Sequence, residues 1–123
     1  MKTIKTFLDL EVYQLAHNLA MKIFEISKIF PKEEKYSLVD QILRASRSVA
    51  VNIAEGWGKR KYVSLFKRHL VDAIGSLEET KAWLLFSLDC HYLTQEKHDS
   101  FLRGYEELGA KLFKLHSAWR NYS

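Results

Sequence analysis

The sequence is poor in cysteine, proline and glycine, and these shortages limit the kinds of protein that it can encode. Its 123 residues include one cysteine, one proline and five glycines. Cys90 has no internal partner for a disulfide, so nothing calls for an oxidising compartment. The longest apolar run, residues 82–86, is far short of the ~20 residues that a spanning helix needs, and residues 1–10 hold no apolar stretch of signal-peptide length. We therefore expect a cytoplasmic protein with no membrane partner.

The rest of the composition is that of an ordinary globular domain. Hydrophobic residues make up 47% of the chain and charged residues 28%, which excludes intrinsic disorder. A chain of 123 residues is within the usual size range of one domain. No internal repeat, linker or low-complexity tract divides it, so residues 1–123 are expected to form a single domain.

Apolar residues recur at spacings of three and four along most of the chain, which is typical of amphipathic helices. The pattern predicts helices over about residues 9–30, 38–58 and 62–90, and a fourth that follows Thr94 and reaches about Trp119. The connections between them are short, and short connections make consecutive helices antiparallel. The predicted fold is therefore all-α, an antiparallel up-down-up-down four-helix bundle.

Several residues next to these helices are expected to define their ends. Pro31 is expected to end the first helix, because proline disfavours the helical backbone in the residue before it. Ser37, with Asp40 three residues later, is typical of a capping-box variant at the start of the second helix. Thr94 is a favourable N-cap for the fourth helix.

Three of the glycines are expected to have specific structural roles. Gly56 and Gly58 are expected to close the second helix, because glycine adopts the left-handed backbone that ends many helices. Gly75 lies inside the third helix, where it is unfavourable relative to alanine. Its presence there predicts a close contact between helices.

The motifs of metal and catalytic sites are missing. Di-iron bundles use Glu-x-x-His pairs and zinc helices use histidines three or four residues apart, and neither spacing occurs among the five histidines. Cys90 and His91 are adjacent, so on a helix they would point about 100° apart and chelate poorly. A phosphate-binding loop and a serine-nucleophile elbow are also missing. We expect no metal, no cofactor, no catalytic residue and hence no enzyme.

The second predicted helix carries an unusual polar set. Ser48, Asn52 and Glu55 are spaced four and three residues apart, so they share one face. An asparagine in a packed face is costly unless its amide finds hydrogen-bond partners. The third helix offers candidate partners: Ser76, Glu78 and Glu79. We favour a hydrogen-bond network between the two helices, and a ligand or catalytic site is the alternative.

The basic residues are clustered, although the net charge is only +4. Residues 56–70 include five Lys and Arg and no acidic residue, interleaved with aromatic side chains. Such surfaces contact phosphates and stack on bases, so the cluster predicts binding of RNA or DNA, and a solvated corner is the alternative. The predicted phosphate contacts are Arg44, Arg47, Lys59, Arg60, Lys61, Lys67 and Arg68, and the predicted base-stacking residue is Trp57 or Tyr62.

Residues 44–56 follow Gln41 and read Arg-Ala-Ser-Arg-Ser-Val-Ala-Val-Asn-Ile-Ala-Glu-Gly. This segment resembles the signature of a known bacterial family, the 23S rRNA-intervening sequence proteins. Further similarities are Leu-Glu-Val-Tyr-Gln-Leu-Ala at 10–16, Phe30-Pro31 with Glu33, and Gly-Ser-Leu-Glu-Glu at 75–79. The resemblance covers most of the chain and is weakest after about residue 94.

The resemblance implies a four-helix bundle that assembles as a homopentamer. Some members of the family are encoded inside insertions in large-subunit ribosomal RNA genes. The related accessory variability proteins of diversity-generating retroelements are basic pentamers that bind nucleic acid and a reverse transcriptase. No catalytic residue carries over from the family. The resemblance implies structural or interface roles for six polar residues: Arg44, Ser48, Asn52, Glu55, Ser76 and Glu79.

Three functional hypotheses follow from the sequence. The favoured one is a non-enzymatic oligomer, expected to be a pentamer, that binds RNA or DNA. The alternative is an oligomeric scaffold that holds a partner protein and binds no nucleic acid. The third is a small enzyme that uses Glu55 or Glu79, which requires a cleft exposing one of these carboxylates.

Overall fold

The structure is a computed structural model that describes residues 3–119. Four long helices dominate it: α1 (Glu11–Ser27), α2 (Leu38–Gly58), α3 (Val63–Asp89) and α4 (Gln95–Ala118). Two short 3-10 helices, Phe7–Asp9 and Lys32–Glu34, precede α1 and α2, and residues 3–119 contain no strand. The predicted all-α fold is confirmed.

The four helices pack as an antiparallel bundle in which each helix contacts the helices before and after it, and α1 also contacts α4. The apolar stripes predicted from the sequence face inward and form one continuous core. Its largest fully buried side chains include Ile23, Ile42, Ile53, Phe66, Leu70, Leu77, Leu84, Tyr105, Leu108 and Leu112. Within residues 3–119, none of the helices is both long enough and apolar enough to span a bilayer.

The ends of α1 and α4 follow local signals in the sequence. The α-helix of α1 ends at Ser27, and the backbone continues through single turns to Phe30, directly before Pro31. The first helix therefore begins two residues later and ends three residues earlier than predicted. At α4, Thr94 Oγ1 accepts a hydrogen bond from the backbone N–H of Lys97 at 3.2 Å, so the predicted N-cap is confirmed.

The start of α2 is capped by Glu34, and the predicted capping box at Ser37 is wrong. The Ser37 hydroxyl donates to Glu34 Oε1 at 2.6 Å, and the backbone N–H of Leu38 donates to the same oxygen at 3.3 Å. The other oxygen, Oε2, accepts from the Tyr92 hydroxyl at 2.8 Å. Glu34 thus joins the α1–α2 connection to the α3–α4 connection at one end of the bundle.

These hydrogen bonds shift the titration of both side chains. The hydrogen bond from Ser37, and then the one from Tyr92, hold the pKa of the Glu34 carboxyl below its ordinary value. The bond to Glu34 raises the pKa of Tyr92 to about 12, because ionising the phenol would lose the donated proton.

The glycines act differently from the sequence-based prediction. None of those within residues 3–119 has a positive φ, so Gly56 and Gly58 do not close α2 through a left-handed backbone. A Cβ on Gly56 would lie 2.9 Å from Cβ of His69, so Gly56 permits a close approach of α3. A Cβ on Gly75 would meet no atom of residues 3–119 within 4 Å, so the close contact predicted there is wrong.

Exposed Cys90 follows α3 at the bundle end that holds Glu34.

Candidate nucleic-acid interface

The basic residues of the α2–α3 connection and of the first turns of α3 lie at the end of the bundle opposite Glu34. We call Lys59, Arg60, Lys61, Lys67 and Arg68 the corner cluster. All except the half-buried Lys67 are exposed. Within residues 3–119 no ion pair joins any of the five to an aspartate or glutamate, so their positive charge is not neutralised by a direct partner.

The C-terminal turns of α4 reach the same end of the bundle. The Trp119 ring packs on Phe66 and Trp57, with centroid separations of 4.5 Å and 6.2 Å. Two further lysines, Lys111 and Lys114, therefore belong to this end, although the sequence analysis did not include them. Lys111 pairs with Glu11, whose hydrogen bond raises the pKa of that lysine, whereas Lys114 is exposed.

Trp57 is part of the core, which corrects its predicted stacking role. Its residue surface is 9% exposed. The Arg60 guanidinium lies 4.1 Å from the ring centroid, and Arg60 Nη1 donates to the Trp57 carbonyl oxygen at 3.0 Å. The ring therefore presents little surface to a nucleotide base. Tyr62, 63% exposed beside the corner cluster, is the aromatic side chain in a position to stack.

The predicted basic strip is divided into two separate sites. Arg44 precedes Lys59 by 15 residues, which at ~1.5 Å per residue corresponds to roughly 22 Å along α2. Arg44 forms an ion pair with Asp40 at 3.7 Å, and the Arg47 guanidinium lies 5.9 Å from the Phe24 ring centroid. Arg44 and Arg47 therefore lie along the side of the bundle, away from the corner cluster.

A continuous series of hydrogen bonds crosses from α3 to α2 and back. Ser76 Oγ lies 2.9 Å from Ser48 Oγ. The Asn52 amide Nδ2 donates to the backbone oxygen of Ser48 at 3.0 Å and to its Oγ at 3.1 Å. Asn52 Oδ1 lies 3.1 Å from His69 Nδ1, and His69 Nε2 lies 3.0 Å from Lys59 Nζ. We call these five residues the polar chain.

The hydrogen-bond inventory of these groups determines which atoms donate. Since both contacts of Asn52 Nδ2 are acceptors, its Oδ1 is the atom that faces His69. Oδ1 can only accept, so His69 Nδ1 carries a proton and donates it. In the neutral imidazole the Nε2 atom is then an acceptor, and it accepts from the Lys59 ammonium.

Hydrogen bonds connect only some of the polar residues that were predicted to form a network between α2 and α3. Ser48, Asn52 and Ser76 belong to the polar chain, whereas Glu55 is exposed and lies outside it. Glu79 is also exposed and accepts a hydrogen bond from Trp83 Nε1 at 3.0 Å. Within residues 3–119, no group of three or more His, Cys, Asp and Glu is placed to hold a metal ion.

His69 is the functional candidate that the sequence analysis missed. It precedes Ser76 by seven residues, which is two helical turns, so the two side chains share a face of α3. That spacing was a usable signal, but it identifies a partner for Asn52 only when the register of α2 against α3 is known.

Comparisons with known proteins agree with this fold. The family model described as 23S rRNA-intervening sequence protein matches residues 8–114. A crystal structure of a protein with unknown function, from the S23 ribosomal protein family of Bacteroides thetaiotaomicron, superposes with a TM-score of 0.79 at 25% identity. The similarity covers 87% of this chain and 96% of that chain. None of the curated proteins matches.

Proposed function

The chain belongs to the 23S rRNA-intervening sequence protein family, and we propose that it is a cytoplasmic, non-enzymatic oligomer that binds RNA or DNA. The observation that carries the proposal is the corner cluster, whose five cations form no ion pair with an acidic residue of residues 3–119 and precede or follow exposed Tyr62 in the sequence. Lysine and arginine contacts to phosphates release condensed counterions, which supplies affinity that is independent of sequence. The Tyr62 ring would add stacking on an unpaired base.

The cations of the corner cluster differ in how freely they can reach a phosphate. Arg60 is held on Trp57 and Lys59 on His69. Lys61 and Arg68 are exposed and make no ion pair within residues 3–119. We therefore assign the first phosphate contacts to Lys61 and Arg68.

Self-association is the second part of the proposal. Large apolar side chains remain exposed on α3 and α4: Val71, Leu85, Phe86 and Phe113. Apolar residues exposed on neighbouring helices are typical of surfaces that bind another protein. The homopentamer that the family resemblance implies would cover such faces and repeat the corner cluster around one ring, so that weak phosphate contacts add up.

The binding proposal is tested by fluorescence anisotropy with labelled single-stranded RNA and duplex DNA across a salt series. We expect the double variant K61Q/R68Q to bind more weakly and with a shallower dependence on salt, because two phosphate contacts are lost. The matched control K97Q/R103Q removes the same two residue types from exposed positions of α4. Absence of binding by the wild-type protein at low salt would exclude nucleic-acid binding.

The exposed apolar side chains also favour a second candidate, a scaffold for a partner protein. Size exclusion with light scattering measures the number of subunits, and absorbance at two wavelengths detects nucleic acid that copurifies. Five subunits with bound nucleic acid support the proposal. Five subunits without nucleic acid, together with one protein recovered in stoichiometric amount, support the scaffold.

A further inference from the structure

The imidazole of His69 is held in one orientation. Its Nδ1 donates to Asn52 Oδ1, and Asn52 is itself fixed by two hydrogen bonds to Ser48. A hydrogen bond that fixes one ring nitrogen also aims the other. The Nε2 atom of His69 consequently points to the corner cluster, where Lys59 Nζ lies 3.0 Å away.

Gly56 allows the two helices to hold this arrangement. A Cβ at position 56 would lie 2.9 Å from Cβ of His69 and 3.1 Å from Cδ1 of Phe66, so only glycine leaves room for α3 at this crossing. Asn52 and Gly56 lie one turn apart on α2, and both are next to His69: Asn52 accepts its hydrogen bond and Gly56 leaves room for its Cβ. Asn52 and Gly56 of α2 thus fix the position of His69.

The contact between Lys59 and His69 depends on the protonation state of the imidazole. Neutral His69 accepts a hydrogen bond from the Lys59 ammonium. Protonated His69 is a donor at Nε2, so it cannot accept from Lys59 and the two cations repel each other. A single anionic oxygen that accepts from both nitrogens would remove that repulsion.

From this geometry we propose that Lys59 and His69 form a phosphate subsite that is complete when His69 is protonated. The inference rests on the proposed function, because the phosphate it would bind is a phosphodiester of the nucleic acid. The subsite is preorganised, since the polar chain already fixes one donor and holds the other beside it.

The net charge near His69 depends on whether its imidazole is protonated. Lys59, from the α2–α3 connection, contacts His69, whereas Arg68 and Asp72 lie one residue before it and three residues after it on α3. Glu55 directly precedes Gly56 on α2. With neutral imidazole the charges of these two cations and two carboxylates sum to zero, so the attraction for a phosphate comes from the other cations of the corner cluster. Protonation of His69 adds one positive charge beside Lys59, within the corner cluster.

The first test compares RNA affinity at two pH values at constant ionic strength. Anisotropy with rhodamine-labelled oligouridylate is measured at about pH 8 and about pH 5.5, which bracket the titration of imidazole. We expect the wild-type dissociation constant to fall about tenfold on acidification, as a charge-assisted contact forms. In H69Q, which has no titrating ring at position 69, the change should be less than about twofold.

The matched control is H91N, which removes an exposed histidine at the opposite end of the bundle. Asparagine tolerates the left-handed backbone that His91 adopts at φ 65°. H91N should keep the wild-type response to pH. If H69Q keeps it as well, the assignment of His69 is overturned.

The second test uses no nucleic acid. Dimethyl phosphate is titrated into protein labelled with ¹⁵N-histidine, and the ring resonances are followed by NMR as a function of pH. We expect the titration midpoint of His69 to rise with dimethyl phosphate while that of exposed His17 does not. An unchanged His69 midpoint overturns the subsite.

The two proposals fail in distinguishable ways. RNA binding that is weakened in K61Q/R68Q but has the same pH response in wild type and H69Q retains the proposed function and rejects the subsite. If His69 responds to dimethyl phosphate but the protein binds no RNA, the proposed function is rejected and the phosphate subsite is retained.

Discussion

The ring of Trp119 lies 4.5 Å from the ring of Phe66, measured between centroids, so the last turn of α4 is packed on the first turns of α3. This contact places the C-terminal lysines of α4 at the same end as the corner cluster. The candidate interface is therefore built from three helices, although its densest run of charge comes from one connection.

Lys114 is expected to contribute to RNA binding because it is exposed at this end. In K114Q the slope of log affinity against log salt should fall by about 0.7 for single-stranded RNA, which corresponds to one phosphate contact. K97Q, an exposed lysine near the start of α4, is the control. An unchanged slope in K114Q would confine the interface to the α2–α3 connection.

Tyr62 is expected to discriminate single-stranded from duplex nucleic acid. Its exposed ring can stack on an unpaired base, whereas the bases of a duplex are already stacked. Y62A should weaken binding of single-stranded RNA by about 1–3 kcal/mol and leave duplex DNA nearly unchanged. Y36A, which removes an exposed tyrosine from the opposite end, should affect neither, and anisotropy measures all four combinations.

Two tyrosine-to-phenylalanine substitutions are expected to change stability in opposite directions. Tyr105 is fully buried, its hydroxyl has no hydrogen-bond partner among residues 3–119, and burial raises the pKa of the phenol. Y105F should keep or raise the free energy of unfolding, by up to about 1 kcal/mol, because no hydrogen bond is lost. Y92F should lower it, because the Tyr92 hydroxyl donates to Glu34. Urea unfolding monitored by circular dichroism gives both values, and a destabilised Y105F would show that its hydroxyl has a partner.

Two glycine-to-alanine substitutions in helices should also differ in sign. G56A places a methyl group 2.9 Å from Cβ of His69, an atom fixed to the α3 backbone, so we expect a loss of about 1–3 kcal/mol. The methyl group of G75A meets no described atom within 4 Å, so this variant should gain about 0.5–1 kcal/mol from the better helix propensity of alanine. Thermal and urea unfolding measure both, and equal effects would contradict the close approach at Gly56.

Glu34 should make stability depend on pH in the acid range. Its pKa is lower in the folded protein than its ordinary value of 4.5, because Ser37 and Tyr92 donate to the carboxylate. The folded state therefore gains stability above that value and loses it as the pH falls through the lowered pKa. E34Q should be less stable than wild type near neutral pH, and the difference should shrink in acid. E33Q, at the exposed neighbouring residue, is the control for urea unfolding across pH.

The helices were predictable because their signal is periodic and local. The apolar stripes of α2 and α3 give their existence and their bounds to within about a residue at each end. The start of α2 was less predictable, since its capping oxygen comes from Glu34, in a 3-10 helix that the pattern did not indicate. Gly56 was misread because a glycine near a helix end is compatible with both a left-handed turn and a close approach.

The candidate site was harder to predict than the helices, because its contacts depend on the tertiary structure. Ser48, Asn52 and Ser76 were predicted as network members from composition and spacing, and their hydrogen bonds join them. His69 and Lys59 complete the polar chain only because α2 and α3 meet in one register. The charge pattern alone also did not reveal that Arg60 covers Trp57, because sequence spacing does not indicate which aromatic side chains enter the core.

The position of Cys90 makes the molecule easy to label at one known point. Its thiol is exposed just past the C-terminal end of α3, whereas the corner cluster adjoins the other end of that 27-residue helix, roughly 40 Å away at ~1.5 Å per residue. A maleimide dye attached there would leave the basic surface untouched. In an assembly of identical subunits, energy transfer between such dyes would give the spacing and the number of copies directly.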